Sequence, residues 1–178
     1  KFIIPFILIL FSSLITDFIL TKILYIYIIE KNENKNKNKI QIKHPVFHHH
    51  LRENYIANED NGKYGKSKII TNSLGFRDKE IRDISLNTNK KRLVFIGDSF
   101  TEGILLNYNE TFVGIFNNYY KNNNDIEILN AGVSSYSPII YYNKIKYFLD
   151  KELKFTKLVV FIDISDIEDE ALRYSFDY

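Results

Sequence analysis

Residues 92–103 read RLVFIGDSFTEG, and this stretch decides the predicted fold. Its first five residues form a short apolar run that ends at Gly97, which is typical of a buried β-strand followed by a tight turn. Ser99 follows just beyond the strand, where a helix is expected to begin. Backbone N–H groups at the start of a helix favour developing negative charge, so this position suits a serine nucleophile for acyl transfer.

Two more strand–helix units follow. Apolar runs lie at residues 126–129 and 158–162, and helical apolar spacing marks residues 111–120 and 139–149. The alternation predicts a parallel sheet with helical crossovers, in which ligands bind beyond the carboxyl ends of the strands. Polar segments lie at all three ends: GDSFTEG at 97–103, NAGVSSYSP at 130–138 and DISDIEDE at 163–170. Asp98 and Ser99 alone are typical of a helix cap, but their position beside two similar strand ends favours a catalytic site.

These three segments resemble, in the same order, the first three blocks of the SGNH/GDSL hydrolase superfamily. The resemblance covers residues 92–170, and TNSLGFRD at 71–78 is similar to a segment that often precedes the first block. It implies an α/β protein with a three-layer α/β/α, flavodoxin-like SGNH fold, a parallel sheet of strand order 2-1-3 and Ser99 as the nucleophile. It also implies ester hydrolysis or acyl transfer without a cofactor or metal, on an ester such as an acylated cell-envelope glycan.

The resemblance also assigns the supporting residues. Gly97, Asp98 and Asn130 would shape the turns, and the backbone N–H groups of Ser99 and Ser135 would hold the oxyanion. Ser135 stands where related proteins often have glycine, and its N–H survives that change if serine tolerates the local backbone angles.

Ser165 has two interpretations. The resemblance places it where an asparagine side chain would donate to the oxyanion, and a serine hydroxyl can also donate. Ser165 and Glu168 also fit the S-x-x-E capping box of a helix. Both interpretations stay open on the sequence.

The catalytic Asp-x-x-His block of the superfamily does not occur in this sequence, whose four histidines lie at positions 44 and 48–50. Serine without a general base is a poor nucleophile. The chain is therefore expected to be either a truncated hydrolase domain, or a catalytically inactive binding module or anchored scaffold. A third interpretation lets His48–His50 fold back to serve Ser99.

Other classes of site have weaker support. The chain has no cysteine, which excludes disulfides and thiolate chemistry, and its net charge of +2 is too small to indicate nucleic acid. Three adjacent histidines do not converge easily on one metal ion, because consecutive side chains point in different directions. Asp163, Asp166, Asp169 and Glu170 suggest Mg²⁺-dependent phosphotransfer, but no G-x-x-x-x-G-K loop accompanies them, and acidic residues are common in a first helical turn.

Residues 1–29 are predicted to be a transmembrane helix or signal anchor. Residues 2–29 carry only Asp17 and Lys22 as charges, and as a helix they would be about 42 Å long, against a bilayer core of roughly 30 Å. The expected location is a single-pass anchor in the cytoplasmic membrane, in contact with the lipid bilayer; a buried core helix is the alternative. Residues 30–43 are expected to be a polar linker, residues 44–91 irregular and residues 92–178 a partial hydrolase domain. The lysines of the linker favour a cytoplasmic domain, whereas the resemblance places it outside the membrane.

Overall fold

The computed structural model describes residues 12–26 and 40–174. The chain divides into two compact units, Lys1–Lys39 and Ile40–Tyr178. In the first unit the described residues form one helix, α1, over residues 12–26. The predicted linker lies mostly outside the described residues, and its last three residues, 41–43, belong to a strand.

The predicted membrane anchor is contradicted. Across residues 12–26 and 40–174, the structure has no helix with both the length and the apolar character needed to cross a membrane. The single-pass location in the cytoplasmic membrane is contradicted by the same finding. Residues 2–11 and 27–29 of the predicted anchor lie outside the described residues.

The second unit contains a two-stranded and a six-stranded sheet. Strands β1 and β2 pair antiparallel, and the larger sheet has the order β3-β4-β5-β7-β6-β8. Strand β6 runs parallel to both β7 and β8, and the pairs β3–β4, β4–β5 and β5–β7 are antiparallel. The strands are β1 (Gln41–His44), β2 (His48–Leu51), β3 (Ile56–Asp60), β4 (Lys66–Thr71), β5 (Arg77–Asp78), β6 (Lys91–Ile96), β7 (Ile126–Asn130) and β8 (Lys157–Val160).

Four α-helices follow strand β6: α2 (Ser99–Glu102), α3 (Phe112–Tyr119), α4 (Pro138–Asp150) and α5 (Ile164–Asp169). The Thr111 hydroxyl caps α3 by accepting the Gly114 N–H. Pro138 opens α4, where its fixed φ suits the first turn and its missing N–H costs no helical bond. Short 3₁₀ turns lie at Gly62–Tyr64 and Tyr108–Glu110, and a π-helical turn at Glu170–Tyr174.

The predicted fold class was wrong about the sheet, which is mixed rather than parallel. The three strands that begin at Lys91 lie in the order second, first, third, but β5, β4 and β3 extend the sheet beyond β7. They come from residues 44–91, which were expected to be irregular. The extension is possible because β5 pairs antiparallel with β7 through Arg77 and Asn130, so the edge of β7 accepts a strand of opposite direction.

Apolar residues cover both faces of strand β6. Val94 and Ile96 of β6 belong to a large buried cluster with the apolar face of α4 and with Phe47 of the β1–β2 connection. Phe95, which points to the other face, packs with Val113 of α3. Strand β6 is therefore held between β7 and β8 with packed side chains on both faces, and this fixes the position of the residues that follow it.

Candidate functional site

Ser99 is the first residue of helix α2, two residues beyond the turn at Gly97. A Cβ atom at Gly97 would lie 2.2 Å from the Thr101 hydroxyl oxygen, so only glycine lets the chain turn this closely against α2. The Asp98 carboxylate accepts the Phe100 N–H at 2.9 Å and so caps the helix. Gly97 and Asp98 thereby fix Ser99 at the junction of strand and helix.

Ser99 is half-buried, and its hydroxyl donates to Oδ2 of Asp98 at 3.3 Å. Burial raises the pKa of Asp98, and the negative charge of Asp163 adds to this effect. Asp98 is the only hydrogen-bond partner of the Ser99 hydroxyl within residues 40–174.

The ends of the three parallel strands are joined by backbone hydrogen bonds. The Ala131 N–H donates to Phe95 O at 2.7 Å, and the Val133 N–H donates to Gly97 O at 3.1 Å. On the other side, the Phe161 N–H donates to Ile96 O at 2.9 Å. The second and third strand ends therefore flank the strand that carries Ser99.

Asn130, the last residue of β7, links the end of that strand to helix α2. Its side-chain N–H donates to Thr101 O at 2.7 Å, and its side-chain oxygen accepts the Gly132 N–H at 3.0 Å. A Cβ atom at Gly132 would lie 2.7 Å from the Glu102 nitrogen, so glycine is needed for this close approach.

Ser135 lies in the turn after strand β7, with a left-handed φ of 62°. Its carbonyl accepts a hydrogen bond from the Tyr174 hydroxyl, and its side-chain oxygen accepts one from Arg173 at 3.2 Å. Its N–H forms no hydrogen bond with the described residues. The structure thus leaves the proposed oxyanion donor without an internal acceptor.

Beyond the end of β8, the residue that caps α5 is Asp163. Both the N–H and the hydroxyl of Ser165 donate to Oδ1 of Asp163, at 2.7 and 2.6 Å. The capping box pairs Asp163 with Asp166, so the predicted box of Ser165 and Glu168 was wrong. These bonds, with the Ser165 hydroxyl first, lower the pKa of Asp163. The single hydroxyl proton of Ser165 is directed to a carboxylate rather than into an oxyanion site.

Three carboxylates meet where strands β6 and β8 end. Oxygen atoms of Asp98, Asp163 and Asp166 lie within 4.8 Å of one another. Burial raises the pKa of Asp166, whose Oδ1 accepts the Tyr141 hydroxyl at 2.8 Å. Carboxylate oxygens are the ligands that hard divalent cations prefer, so these three residues could hold one.

The other two acidic residues of the third segment bind elsewhere. Asp169 forms an ion pair with Arg173 at 2.9 Å. Glu170 accepts the Ser137 hydroxyl at 2.6 Å and the Ile139 N–H at 3.1 Å, at the start of α4. The sequence placed carboxylates at this strand end but did not identify Asp98 as the third member of the group.

The histidines lie on β1 and β2 and do not reach Ser99. Nε2 of His49 bonds to Ser134 O at 2.8 Å, and Nε2 of His50 bonds to Leu74 O at 2.9 Å. Carbonyl oxygens only accept, so both Nε2 atoms donate. Within residues 12–26 and 40–174, the group placed to hold a metal ion contains no histidine.

Arg77 was missed as a residue of the site, because residues 71–78 were singled out only for their similarity to the segment that often precedes the first block. It is fully buried, and Nη1 donates to Glu102 O at 2.7 Å and to Gly103 O at 2.5 Å. Asp78 pairs with Arg82 at 2.8 Å. Arg77 therefore binds the carbonyls at the end of α2, a contact between residues distant in sequence.

Lys144 and Glu102 were also missed. Lys144 is fully buried on α4, and its Nζ donates to Ala131 O at 2.9 Å. The same Nζ lies over the ring of Tyr136, 4.8 Å from the ring centre. Burial lowers the pKa of Lys144 and raises that of Glu102. A lysine between Tyr141 and Phe148 on the apolar face of α4 was the signal available in the sequence.

One edge of the sheet thus carries the half-buried Ser99, the three carboxylates, and the Ser135 N–H, which has no acceptor among the described residues. Comparison of the chain with protein-family models, with curated proteins and with solved structures found no match.

Proposed function

We propose that the chain is an SGNH-type ester hydrolase or acyltransferase domain in which Ser99 is the nucleophile. The observation that carries the proposal is the position of Ser99, half-buried at the start of α2 and directly beyond strand β6, which lies between β7 and β8. Acyl transfer needs a hydroxyl that a substrate carbonyl can reach and that the protein holds rigidly.

In the proposed reaction the Ser99 oxygen attacks the ester carbonyl and gives up its proton; the bond between the carbonyl carbon and the alcohol oxygen then breaks, and the alcohol leaves with that proton, which gives an acyl-serine. Water, or an acceptor hydroxyl in acyl transfer, next attacks the acyl-serine, so that the acid or the new ester leaves and the Ser99 hydroxyl is restored. The developing oxyanion is held by the N–H groups of Ser99 and Ser135. The N–H of Ser135 supports this assignment because it has no acceptor among the described residues. Ser165 takes no part in this proposal, since its hydroxyl donates to Asp163.

The proton of Ser99 needs an acceptor. In residues 40–174 the acceptor beside it is the Asp98 carboxylate, at 3.3 Å. Burial raises the pKa of Asp98, and a carboxylate of raised pKa is a stronger base than an exposed one. Among the described residues, Asp98 is therefore the one placed to take the proton. An acylated cell-envelope glycan as the substrate stays a prediction from the resemblance alone.

A binding module without catalysis is the second candidate function. It is favoured by the carboxylate group of Asp98, Asp163 and Asp166, and by the absence of a histidine beside Ser99 in the described part of the chain. Such a module would bind its ligand without forming an acyl-serine.

Hydrolysis of p-nitrophenyl acetate by the full chain tests the proposal. We expect Ser99→Ala to lower kcat by about 100-fold or more, because no other described hydroxyl can replace the nucleophile. Ser165→Ala is the matched control and should stay within about threefold of wild type, since one oxyanion donor is worth about 100-fold or more. Equal hydrolysis by wild type and Ser99→Ala would refute the esterase and leave the binding module.

A further inference from the structure

We infer that Glu102 is a positioning residue that sets the direction of the Ser135 N–H toward the oxyanion. The inference rests on the proposed function of Ser99 and assigns a task to a buried carboxylate that the reaction itself does not use.

Glu102 binds the turn after strand β7 through one residue, Ser134. Its side chain is 3% exposed, and Oε2 accepts both the Ser134 N–H at 2.6 Å and the Ser134 hydroxyl at 2.8 Å. The two bonds fix the backbone and the side chain of Ser134 together.

The peptide group that joins Ser134 to Ser135 is held by residues of strands β1 and β2. Its carbonyl, Ser134 O, is bound by His49 at 2.8 Å and by Gln41 at 3.3 Å. In a planar trans peptide the C=O and the N–H point in opposite directions. Because the carbonyl faces the β1–β2 hairpin, the Ser135 N–H points away from it.

Helix α2 connects this turn to the nucleophile. Ser99 is the first residue of the helix and Glu102 is its last. A single helical turn therefore carries the nucleophile at one end and the carboxylate that holds the second oxyanion donor at the other. The end of this helix is itself fixed, because Arg77 donates to Glu102 O at 2.7 Å.

The start of the same segment is held by a second buried group. Lys144 donates to Ala131 O at 2.9 Å. The segment from residue 131 to residue 135 is thus bound at Ala131 by Lys144, at Ser134 by Glu102 and at Ser135 by Tyr174. Glu102 is the group among these three that lies on the helix of the nucleophile.

Two readouts on the full chain test the inference. The first is the second-order rate constant for labelling by a fluorophosphonate, which reacts at an activated serine. The second is hydrogen–deuterium exchange of a peptide that covers residues 131–137. Glu102→Ala removes the acceptor, whereas Glu102→Gln keeps a side-chain oxygen that can accept both bonds from Ser134.

We expect Glu102→Ala to slow labelling by about 100-fold, the typical effect of one lost oxyanion donor, and to speed exchange in residues 131–137 but not in β6. Glu102→Gln should stay within about threefold of wild type in both readouts. If Glu102→Ala does not fold, Glu102→Asp, which withdraws the carboxylate by one methylene, should show the same two changes to a smaller degree.

A folded Glu102→Ala that labels and exchanges like wild type would overturn the inference. Equal slowing of labelling by Glu102→Gln and Glu102→Ala would overturn it as well, because the Gln side chain keeps the acceptor. Absence of labelling in wild type would overturn the proposed function instead, and the exchange readout would still report whether Glu102 holds the turn.

Discussion

At the scale of single residues, Ser135 has an uncommon backbone conformation for a residue with a side chain. Its φ of 62° lies in the left-handed region, which costs a residue with a Cβ about 1 kcal/mol relative to glycine. We therefore expect Ser135→Gly to raise the free energy of unfolding by up to about 1 kcal/mol and to leave the N–H donor in place. Urea unfolding measures the change. Ser135→Ala, which keeps the strain, is the control, and a Gly variant no more stable than the Ala variant would contradict this account.

The burial of His50 is expected to make the free energy of unfolding depend on pH. Burial, with the charge of Lys144 next in size, lowers its pKa from an ordinary 6.5 to about 2, and its Nδ1 is buried without a partner. Below pH 6.5 the unfolded chain takes up a proton that the folded chain does not. His50 should therefore lower the free energy of unfolding by up to about 1.4 kcal/mol for each pH unit below 6.5.

Urea unfolding at pH 7.5 and pH 5.0 measures this loss. His50→Gln cannot titrate and keeps an N–H that can reach Leu74 O, so its loss of stability between the two pH values should be smaller. An equal loss in wild type and His50→Gln would show that other groups determine the acid sensitivity.

The residues of the site differ in how far the sequence could place them. Ser99 and Asp98 follow an apolar run and a glycine, and this local pattern determines where they lie. Arg77, Glu102 and Lys144 act on carbonyls or N–H groups 13 to 32 positions away. Their roles arise only when the elements pack together. The helical pattern could mark Lys144 as a lysine on an apolar face, but no local pattern could identify its partner or the roles of Arg77 and Glu102. Ser165 shows the opposite case, in which a correct motif type was assigned to the wrong residue, because Asp163 already capped the helix.

At the scale of elements, the strands from Lys91 onward were predictable because apolar runs and helical spacing alternate clearly. Strand β4 was missed although its buried residues alternate with more exposed ones, as expected for a strand with one solvent-facing side. Strand β5 has only two residues, which is too short for any periodicity. Its existence depends on the pairing of Arg77 with Asn130.

The turn between β4 and β5 gives a test at this scale. Gly75 has a φ of 64°, and a Cβ there would lie 2.1 Å from Nε2 of His50 and 2.4 Å from Leu51 O. Gly75→Ala should therefore cost more than about 2 kcal/mol, since backbone strain and overpacking add. Gly62→Ala is the matched control, because Gly62 has a φ of 59° but open space around it.

Chemical denaturation of both glycine variants measures the difference. Gly62→Ala should lose only about 1 kcal/mol, the cost of the left-handed backbone alone. Equal losses at the two positions would mean that the contacts of Gly75 with the β1–β2 hairpin contribute nothing to stability.

At the scale of the whole molecule, the segment 40–90 completes the core rather than preceding a domain. Phe47, Leu51 and Phe76 belong to the same buried cluster as Val94 and Leu129 of the parallel strands. A chain of residues 91–178 should therefore lack a cooperative thermal transition, which circular dichroism at near-ultraviolet wavelengths would detect. A sharp melt of that piece would contradict the view that residues 40–90 are integral to the fold.

The central claim is that Ser99 is the nucleophile, and locating a fluorophosphonate adduct in the full chain by peptide mass spectrometry tests it most directly. We predict one adduct, on Ser99, and none when Ser99 is replaced by alanine. An unlabelled wild-type chain, or an adduct on Ser134, Ser135 or another serine that persists in Ser99→Ala, would contradict the claim.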